Sequence, residues 1–123
     1  MSGAVSMLTS FCPVICTSHM DETRSFYAGL FGFTAAHQTP WYTALVRHGR
    51  RQHELALLDH AHPSLPGPLR TPVRAVRLTL TVADGDGAWE RLAAHGGVEV
   101  AGGDRRHVVV VDPNGVRLDV VAA

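Results

Sequence analysis

The side chains best suited to bind a ligand lie in the C-terminal segment from His107 to Val121. Within it, Asp112-Pro113-Asn114-Gly115 predicts a tight turn, because proline presets φ at the first central position and Gly115 can take the left-handed conformation that closes a three-residue hairpin loop. Alternate side chains then share one surface of the sheet, and the predicted pairs on it are Val111 with Arg117, Val109 with Asp119, and His107 with Val121. A guanidinium, a carboxylate and an imidazole among valines indicate a lined cavity.

Two consecutive sets of helices and strands, which include and position this hairpin, have the same order. The first set is a strand, a helix and three strands, predicted at 11–17, 21–31, 33–37, 41–47 and 53–58. The second set is predicted at 76–82, 84–94, from 98 to 101, and in the two strands of the hairpin. Asp84 is the predicted cap of the second helix, and glycines end both helices. Each set therefore has the order βαβββ.

A single constant shift superimposes the two sets without a gap, placing Asp21 on Asp86, Gly32 on Gly97, Val46 on Val111 and Glu54 on Asp119. Agreement in element order, helix end and hairpin position indicates an internal repeat. The predicted fold class is α+β, in which two paired βαβββ modules form a curved mixed sheet around a concave pocket, with helices on the convex side. The chain is then one domain, 1–123, with modules at about 8–60 and 73–122 and a proline-rich linker at 61–72.

The same shift transfers the facing of the hairpin to the other strands. Besides the hairpin residues, the predicted concave surface carries Cys12, Val14, Cys16, Tyr42, Ala44, Val46, Glu54, Ala56, Leu58, Arg77, Thr79 and Thr81. The opposite surface is predicted to carry Pro13, Ile15, Leu55, Leu57, Leu78, Leu80, Val82, Leu118 and Val120. Because the second surface is almost entirely aliphatic, we expect the helices to cover it and the first to line a partly wet pocket.

Composition excludes several classes of function. The formal net charge is +0, which gives no reason to expect nucleic acid or an anionic membrane as a partner. The start of the chain has neither a basic n-region nor a long apolar span, which predicts a cytoplasmic protein, and the use of arginine without lysine suggests a bacterium with a GC-rich genome. Cys12 and Cys16 would lie roughly 13 Å apart along one strand, so they are predicted to be free thiols.

Two short motifs resemble the signatures of a known family. Phe26-Tyr27 followed by Gly29-Leu30-Phe31-Gly32-Phe33 is similar to the "FY...LGF" signature of the vicinal oxygen chelate superfamily, and 112–115 resembles its "DPNG" hairpin. That superfamily includes glyoxalase I, extradiol dioxygenases, methylmalonyl-CoA epimerase, fosfomycin-resistance enzymes and metal-free bleomycin-resistance proteins that sequester drugs. The opening Phe11-Cys12-Pro13-Val14-Ile15 is also similar to the start of bleomycin-resistance-like members.

The resemblance implies four positions at which this chain can be compared with the family's metal ligands. Enzymes of the family hold a divalent metal with one residue from each of four strands, usually His, Glu or Gln, and the matching positions here are Cys12, Glu54, Arg77 and Asp119. Arginine has five donors and no acceptor and carries a permanent charge, so it cannot ligate a cation. We therefore expect the positive charge of Arg77 to take the place of the metal ion's charge, with Arg77 paired with Asp119 or Glu54, and we expect no cofactor.

The function predicted from these residues is sequestration of a small organic molecule, such as a drug or secondary metabolite, by a metal-free protein that forms a homodimer. The ligand-binding residues are predicted to be Cys12, Tyr42, Glu54, Arg77, Thr79, His107, Val109, Arg117 and Asp119. The alternative is a metal-dependent lyase, isomerase or dioxygenase of the same superfamily. Whether the pocket forms within one chain or across a dimer with exchanged modules is open.

Several candidate residues also have a structural interpretation. The Arg77 ion pair can simply close the pocket floor, and His107 can be a packed or hydrogen-bonded side chain instead of a general base. His60 and His62 could bind a metal, but a proline-rich linker without further ligands makes this the less favoured interpretation. Trp89 is expected in the core, which leaves Tyr42 as the better aromatic for a planar ligand.

Overall fold

The computed structural model describes residues 11–49, 52–72, 76–83 and 87–123, and within them the element order βαβββ occurs twice. Module 1 consists of β1 (Val14–Thr17), α1 (Met20–Phe31), β2 (Thr34–Thr39), β3 (Tyr42–Arg47) and β4 (His53–Asp59). Module 2 consists of β5 (Arg77–Val82), α2 (Ala88–Ala94), β6 (Val98–Glu99), β7 (His107–Val111) and β8 (Arg117–Ala122). The predicted α+β class is confirmed. The predicted cap Asp84 and the aligned Asp86 lie outside the described residues.

The strands form two mixed sheets of four, in the orders β1-β4-β3-β2 and β5-β8-β7-β6. In each module the first strand runs parallel to the last, and the other pairs are antiparallel. The predicted mixed sheet is thus divided between the modules, since no strand ladder joins the two sheets in the part of the chain that the structure describes. A short 3₁₀ helix, Gly67–Leu69, lies in the connection between them.

The C-terminal hairpin has the predicted register. Gly115 has φ of 89°, and the amide of Asp112 donates to the carbonyl of Val116 at 3.0 Å. The strand pairs are His107 with Val121, Val108 with Val120, Val109 with Asp119, Val110 with Leu118, and Val111 with Arg117. Turn chemistry alone therefore set the facing of every side chain on these two strands.

One core lies between the two sheets and their helices. Phe26, Tyr27 and Leu30 of α1 and Trp89 and Leu92 of α2 are buried in it. Each sheet adds the aliphatic surface predicted to face the helices, chiefly Ile15, Leu55, Leu57, Val108, Val110, Leu118 and Val120. The opposite faces of both sheets are consequently left outside this core.

Each helix is followed by a left-handed glycine, Gly32 after α1 and Gly96 after α2, but Gly97 is needed for another reason. Gly32 has φ of 74°, and its amide donates to the carbonyl of Ala28, which terminates α1 in a left-handed residue. At Gly97, a Cβ atom would lie 2.8 Å from both the Leu92 carbonyl oxygen and Val108 Cγ1. Gly97 is therefore required by the close approach of α2 to the sheet, although it matches Gly32 in the repeat.

The two modules are joined by a group of buried polar side chains, here called the inter-module bridge: Tyr27, Thr17 and Thr23 of module 1 with Asp112 and Asn114 of the hairpin turn. The Tyr27 hydroxyl donates to Asp112 Oδ2 at 2.9 Å, and Asn114 Nδ2 donates to Thr23 Oγ1 at 3.0 Å. The Thr17 hydroxyl donates to Asn114 Oδ1. The tyrosine of one sequence signature thus binds the aspartate of the other.

Among the described residues, no helix is long and apolar enough to cross a membrane.

Candidate functional site

The faces of the sheets turned away from the helices carry the predicted site residues, and we call them the open faces. On module 2, Arg77 pairs in register with Arg117, and Thr79 and Val109 both pair with Asp119. Since cross-strand partners share a face, the five side chains lie on one surface, as predicted. The register alone does not show what that surface binds, but it brings three charged groups together.

Asp119 is the centre of this group. Its side chain is 2% exposed, whereas those of Arg77 and Arg117 are 62% and 49% exposed. Arg77 donates to Oδ2 from Nε, with Nη2 in ion-pair contact with the same oxygen, and Arg117 Nε donates to Oδ1 at 2.8 Å. The predicted pairing of Arg77 with Asp119 is confirmed, and Arg117 is a second partner that the sequence did not assign.

The Asp119 carboxylate is ionised by these contacts. Burial by itself raises the pKa of a carboxyl group, but the hydrogen bonds and charges of Arg117 and Arg77 outweigh it and hold the pKa of Asp119 below its ordinary value. A buried carboxylate with both oxygens engaged by guanidinium groups has little remaining capacity to bind a metal ion.

His107 lies beside this group without joining it. Its Nε2 atom is 3.7 Å from Asp119 Oδ1, which is too long for a hydrogen bond, and it is buried without a partner among the described residues. Neither a general base nor a hydrogen-bonded histidine has a partner at Nε2 in this geometry, whereas the third interpretation, a packed histidine, needs none. A buried ring nitrogen without a partner leaves a polar atom available to a ligand or a water molecule.

Cys12, which precedes β1, and Glu54 of the interior strand β4 form a separate group on module 1. The Cys12 residue is exposed and its thiol is free; partial burial of the thiol, and then the nearby Glu54 charge, raise its pKa. A thiol of this kind is a poor nucleophile and a poor metal ligand at neutral pH. Within the described residues Glu54 makes no ion pair with Arg77, so the second pairing considered from the sequence is not formed.

Tyr42 shares the open face of module 1 with Leu58, its strand partner on β4. Its ring centroid lies 5.9 Å from that of Trp41 and 6.3 Å from that of His37. The three rings form an aromatic surface on module 1, and no contact places Tyr42 against the charged group of module 2. The predicted site residues are therefore divided into two groups, one on each sheet.

The four positions that matched the family's metal ligands do not suit a metal here. Arg77 offers only donors, and Asp119 is held by two arginines. The described residues also contain no group of three or more His, Cys, Asp or Glu side chains placed to hold an ion. Of the four positions, only the Cys12 thiol, with its raised pKa, and the Glu54 carboxylate remain as potential metal ligands.

A cavity with a volume of about 990 Å³ lies between the modules and is lined by residues of both helices and both sheets. Its apolar lining includes Leu30, Phe33, Leu55, Leu78, Leu80 and Leu92. Glu54 and Thr79 of the predicted site also line it. The sequence predicted Leu55, Leu78 and Leu80 on the aliphatic surface that the helices cover, and no local pattern distinguishes a filled core from one with space between two modules.

The other aromatic and histidine candidates have structural partners. Trp89 is buried in the core as predicted, and the Arg106 guanidinium lies 4.9 Å from its ring. Trp41 stacks on His62 at 4.0 Å, and His60 Nδ1 lies 3.7 Å from Asp59 Oδ1. These histidines therefore hold the connection against module 1.

One comparison with known proteins matches nearly the whole chain. A family model described as the Glyoxalase/Bleomycin resistance protein/Dioxygenase superfamily matches residues 9–120. A search of the curated proteins found no match.

Three solved structures resemble this one in fold. An antibiotic binding protein of Streptomyces sp. CB03234 is 19% identical, with 98% of each chain covered and a TM-score of 0.67. Lactoylglutathione lyase of Agrobacterium tumefaciens is 17% identical, with 96% of each chain covered and a TM-score of 0.67. A glyoxalase/bleomycin resistance protein/dioxygenase of Nocardioides is 23% identical, covering 97% of this chain and 85% of that one, with a TM-score of 0.67. At such identities the likeness extends to the fold alone.

Proposed function

Because the chain belongs to the glyoxalase/bleomycin resistance protein/dioxygenase superfamily, we propose that it is a metal-free protein that binds a small organic molecule on its open faces. Binding would protect a bacterial cell by sequestering a drug or secondary metabolite in the cytoplasm. The observation that carries this proposal is the contact between Arg77 and Asp119. These are two of the four positions that the resemblance matches to the family's metal ligands, and a guanidinium cannot ligate a metal ion. The similar fold of an antibiotic binding protein supports it.

The residues proposed to bind this molecule form two kinds of surface. Arg77, Arg117, Asp119, His107 and Thr79 supply charge and hydrogen bonds on module 2, with Val109 as an apolar contact. Cys12, Tyr42 and Glu54 supply the corresponding surface of module 1. A largely apolar surface with a few polar groups is the usual composition of a small-molecule site.

We further propose that the chain acts as a homodimer. The open faces carry exposed apolar side chains, among them Val14 and Val111 at 52% and 55% exposure, and each sheet ends in edge strands. A second copy could bring a module 1 face against a module 2 face and complete the pocket. Sedimentation equilibrium at micromolar concentration should then give twice the chain mass.

Elemental analysis and a thermal shift assay test the proposed function together. Protein purified without chelator should contain no stoichiometric divalent metal, and a panel of aromatic natural products should include compounds that raise its melting temperature. A stoichiometric metal accompanied by glyoxalase-like or dioxygenase activity would contradict the proposal and favour a metal-dependent enzyme.

Arg77→His tests whether the four matched positions are a former metal site. Removing the guanidinium and adding an imidazole should raise the affinity for nickel or zinc, measured by isothermal titration calorimetry. Arg117→His is the matched control. It also replaces an arginine that contacts Asp119, but Arg117 is not one of the four positions matched to metal ligands. Equal metal affinity in the two variants would show that the positions are wrongly assigned.

A further inference from the structure

The charge on the module 2 open face is unbalanced. This face carries two arginines, Arg77 and Arg117, and one carboxylate, Asp119, so one positive charge is left when His107 is neutral. The whole chain has a formal net charge of +0, which makes the excess a local property of this surface. An exposed, uncompensated guanidinium attracts an anion.

The hydrogen-bond donors of Arg117 show where such an anion would bind. A guanidinium has five N–H donors, and Arg117 uses its Nε toward Asp119. No acceptor among the described residues engages its two terminal nitrogens, and the side chain is 49% exposed. Two parallel donors on a planar fork match the two oxygens of a carboxylate.

Asp119 keeps this fork in place. It is buried and hydrogen-bonds the Nε of both arginines, so it fixes the direction in which their terminal nitrogens point. It is a positioning residue for the anion and has no free oxygen to compete with it. Thr79, exposed on the same face, adds a hydroxyl donor.

The surroundings of the fork are apolar. Val111, the strand partner of Arg117, is 55% exposed, and Val109, the partner of Asp119, lies beside it on the same face. Burying valine surface stabilises contact with a hydrocarbon body by roughly 25 cal/mol per Å² of apolar area. A guest that matches both features has an acidic group on an apolar framework.

Resting on the proposed function, we propose that the ligand is an organic carboxylate, whose acid group binds the Arg117 and Arg77 guanidiniums and whose apolar body lies on the valines of β7. This class excludes purely cationic and purely hydrocarbon guests, because the first would be repelled by the arginines and the second would leave the fork unpaired.

A matched ligand series tests this inference. The probes are 2-naphthoate and biphenyl-4-carboxylate, each with its methyl ester and primary amide, measured by isothermal titration calorimetry at low ionic strength. Each acid should bind at least about tenfold more tightly than its neutral derivatives, because a charge-assisted bidentate contact is lost in them. Added sodium chloride should reduce this preference in the wild-type protein.

Arg117→Gln should lower the affinity for the acids by at least about tenfold and so abolish their preference over the esters. Arg24→Gln is the matched control, because it removes the same charge on α1, where Arg24 pairs with Asp21. If Arg117→Gln does not fold, the salt titration of the wild-type protein decides the question without a variant.

The outcomes separate this inference from the proposed function. Esters that bind as tightly as acids, with no effect of salt, would overturn the carboxylate assignment and leave the binding function standing. Failure of acids, esters and amides alike to bind at millimolar concentration would also overturn the carboxylate assignment, whereas the proposed function falls if no compound of the natural-product panel raises the melting temperature.

Discussion

Tyr27→Phe is the sharpest test of how the two modules are held together. The substitution removes one hydroxyl from a side chain that is 1% exposed and leaves the ring in place. It deletes the 2.9 Å hydrogen bond to Asp112, whose side chain is also buried, at 4% exposure. Burial, with the Asp112 charge, raises the pKa of Tyr27, so the phenol stays protonated and is the donor at all physiological pH values.

The expected loss follows from the partners that remain. Asp112 keeps hydrogen bonds from the amides of Asn114 and Val116, at 2.7 and 2.9 Å, and a longer one from Asn114 Nδ2. The carboxylate is therefore not stranded, and the cost is that of one hydrogen bond to a charged group, roughly 1.5–3 kcal/mol of unfolding free energy. For 123 residues each kcal/mol corresponds to about 4 °C, so the melting temperature should fall by about 6–12 °C.

Urea unfolding followed by circular dichroism measures this loss. Tyr42→Phe is the matched control, because it makes the same change where the hydroxyl has no hydrogen bond within the described residues, and it should cost less than about 0.5 kcal/mol. Equal losses in the two variants would refute the role assigned to the bridge. A change in the urea m-value confined to Tyr27→Phe would indicate that the modules no longer unfold together.

Two further predictions concern the charged groups of the open faces. Because the folded pKa of Asp119 is lowered, its contribution to stability is present above the ordinary carboxyl pKa and is lost as pH falls through the folded value. The unfolding free energies of wild type and Asp119→Asn, measured by urea titration, should therefore differ at pH 7 and converge in acid. A difference between them that stays constant with pH would contradict the arginine contacts. Burial and then Glu54 raise the pKa of Cys12, so Glu54→Gln should increase its rate of iodoacetamide alkylation at pH 8, read by peptide mass spectrometry. Glu22→Gln, an exposed carboxylate on α1, is the control there and should leave the Cys12 rate unchanged.

The alternation of apolar and polar side chains, together with the turn residues, was sufficient to predict most of the fold. Pro113 and Gly115 set the hairpin, the hairpin set the register, and the repeat transferred that register to β5, so Arg77 and Asp119 were placed on one face without any tertiary information. Each of these steps depends on conformational limits of neighbouring residues, which are local.

The division of the site between two sheets could not be obtained in this way. Cys12 and Glu54 match Arg77 and Asp119 in the repeat, yet each pair stays on its own module, because strand register fixes neighbours within a sheet and says nothing about the orientation of one sheet to another. The approximately 990 Å³ cavity between the modules has the same origin, since it depends on how closely α1 and α2 approach.

By itself the sequence determined the α+β class, the two βαβββ modules, the hairpin register and the pairing of Arg77 with Asp119. Only the tertiary structure decided that Asp119 is buried, and that the turn residue Asp112 also accepts a hydrogen bond from Tyr27 of the other module. The physical reason is distance along the chain: backbone sterics and two-residue periodicity act between neighbours, whereas a buried carboxylate takes whichever donors the packing of remote elements brings to it.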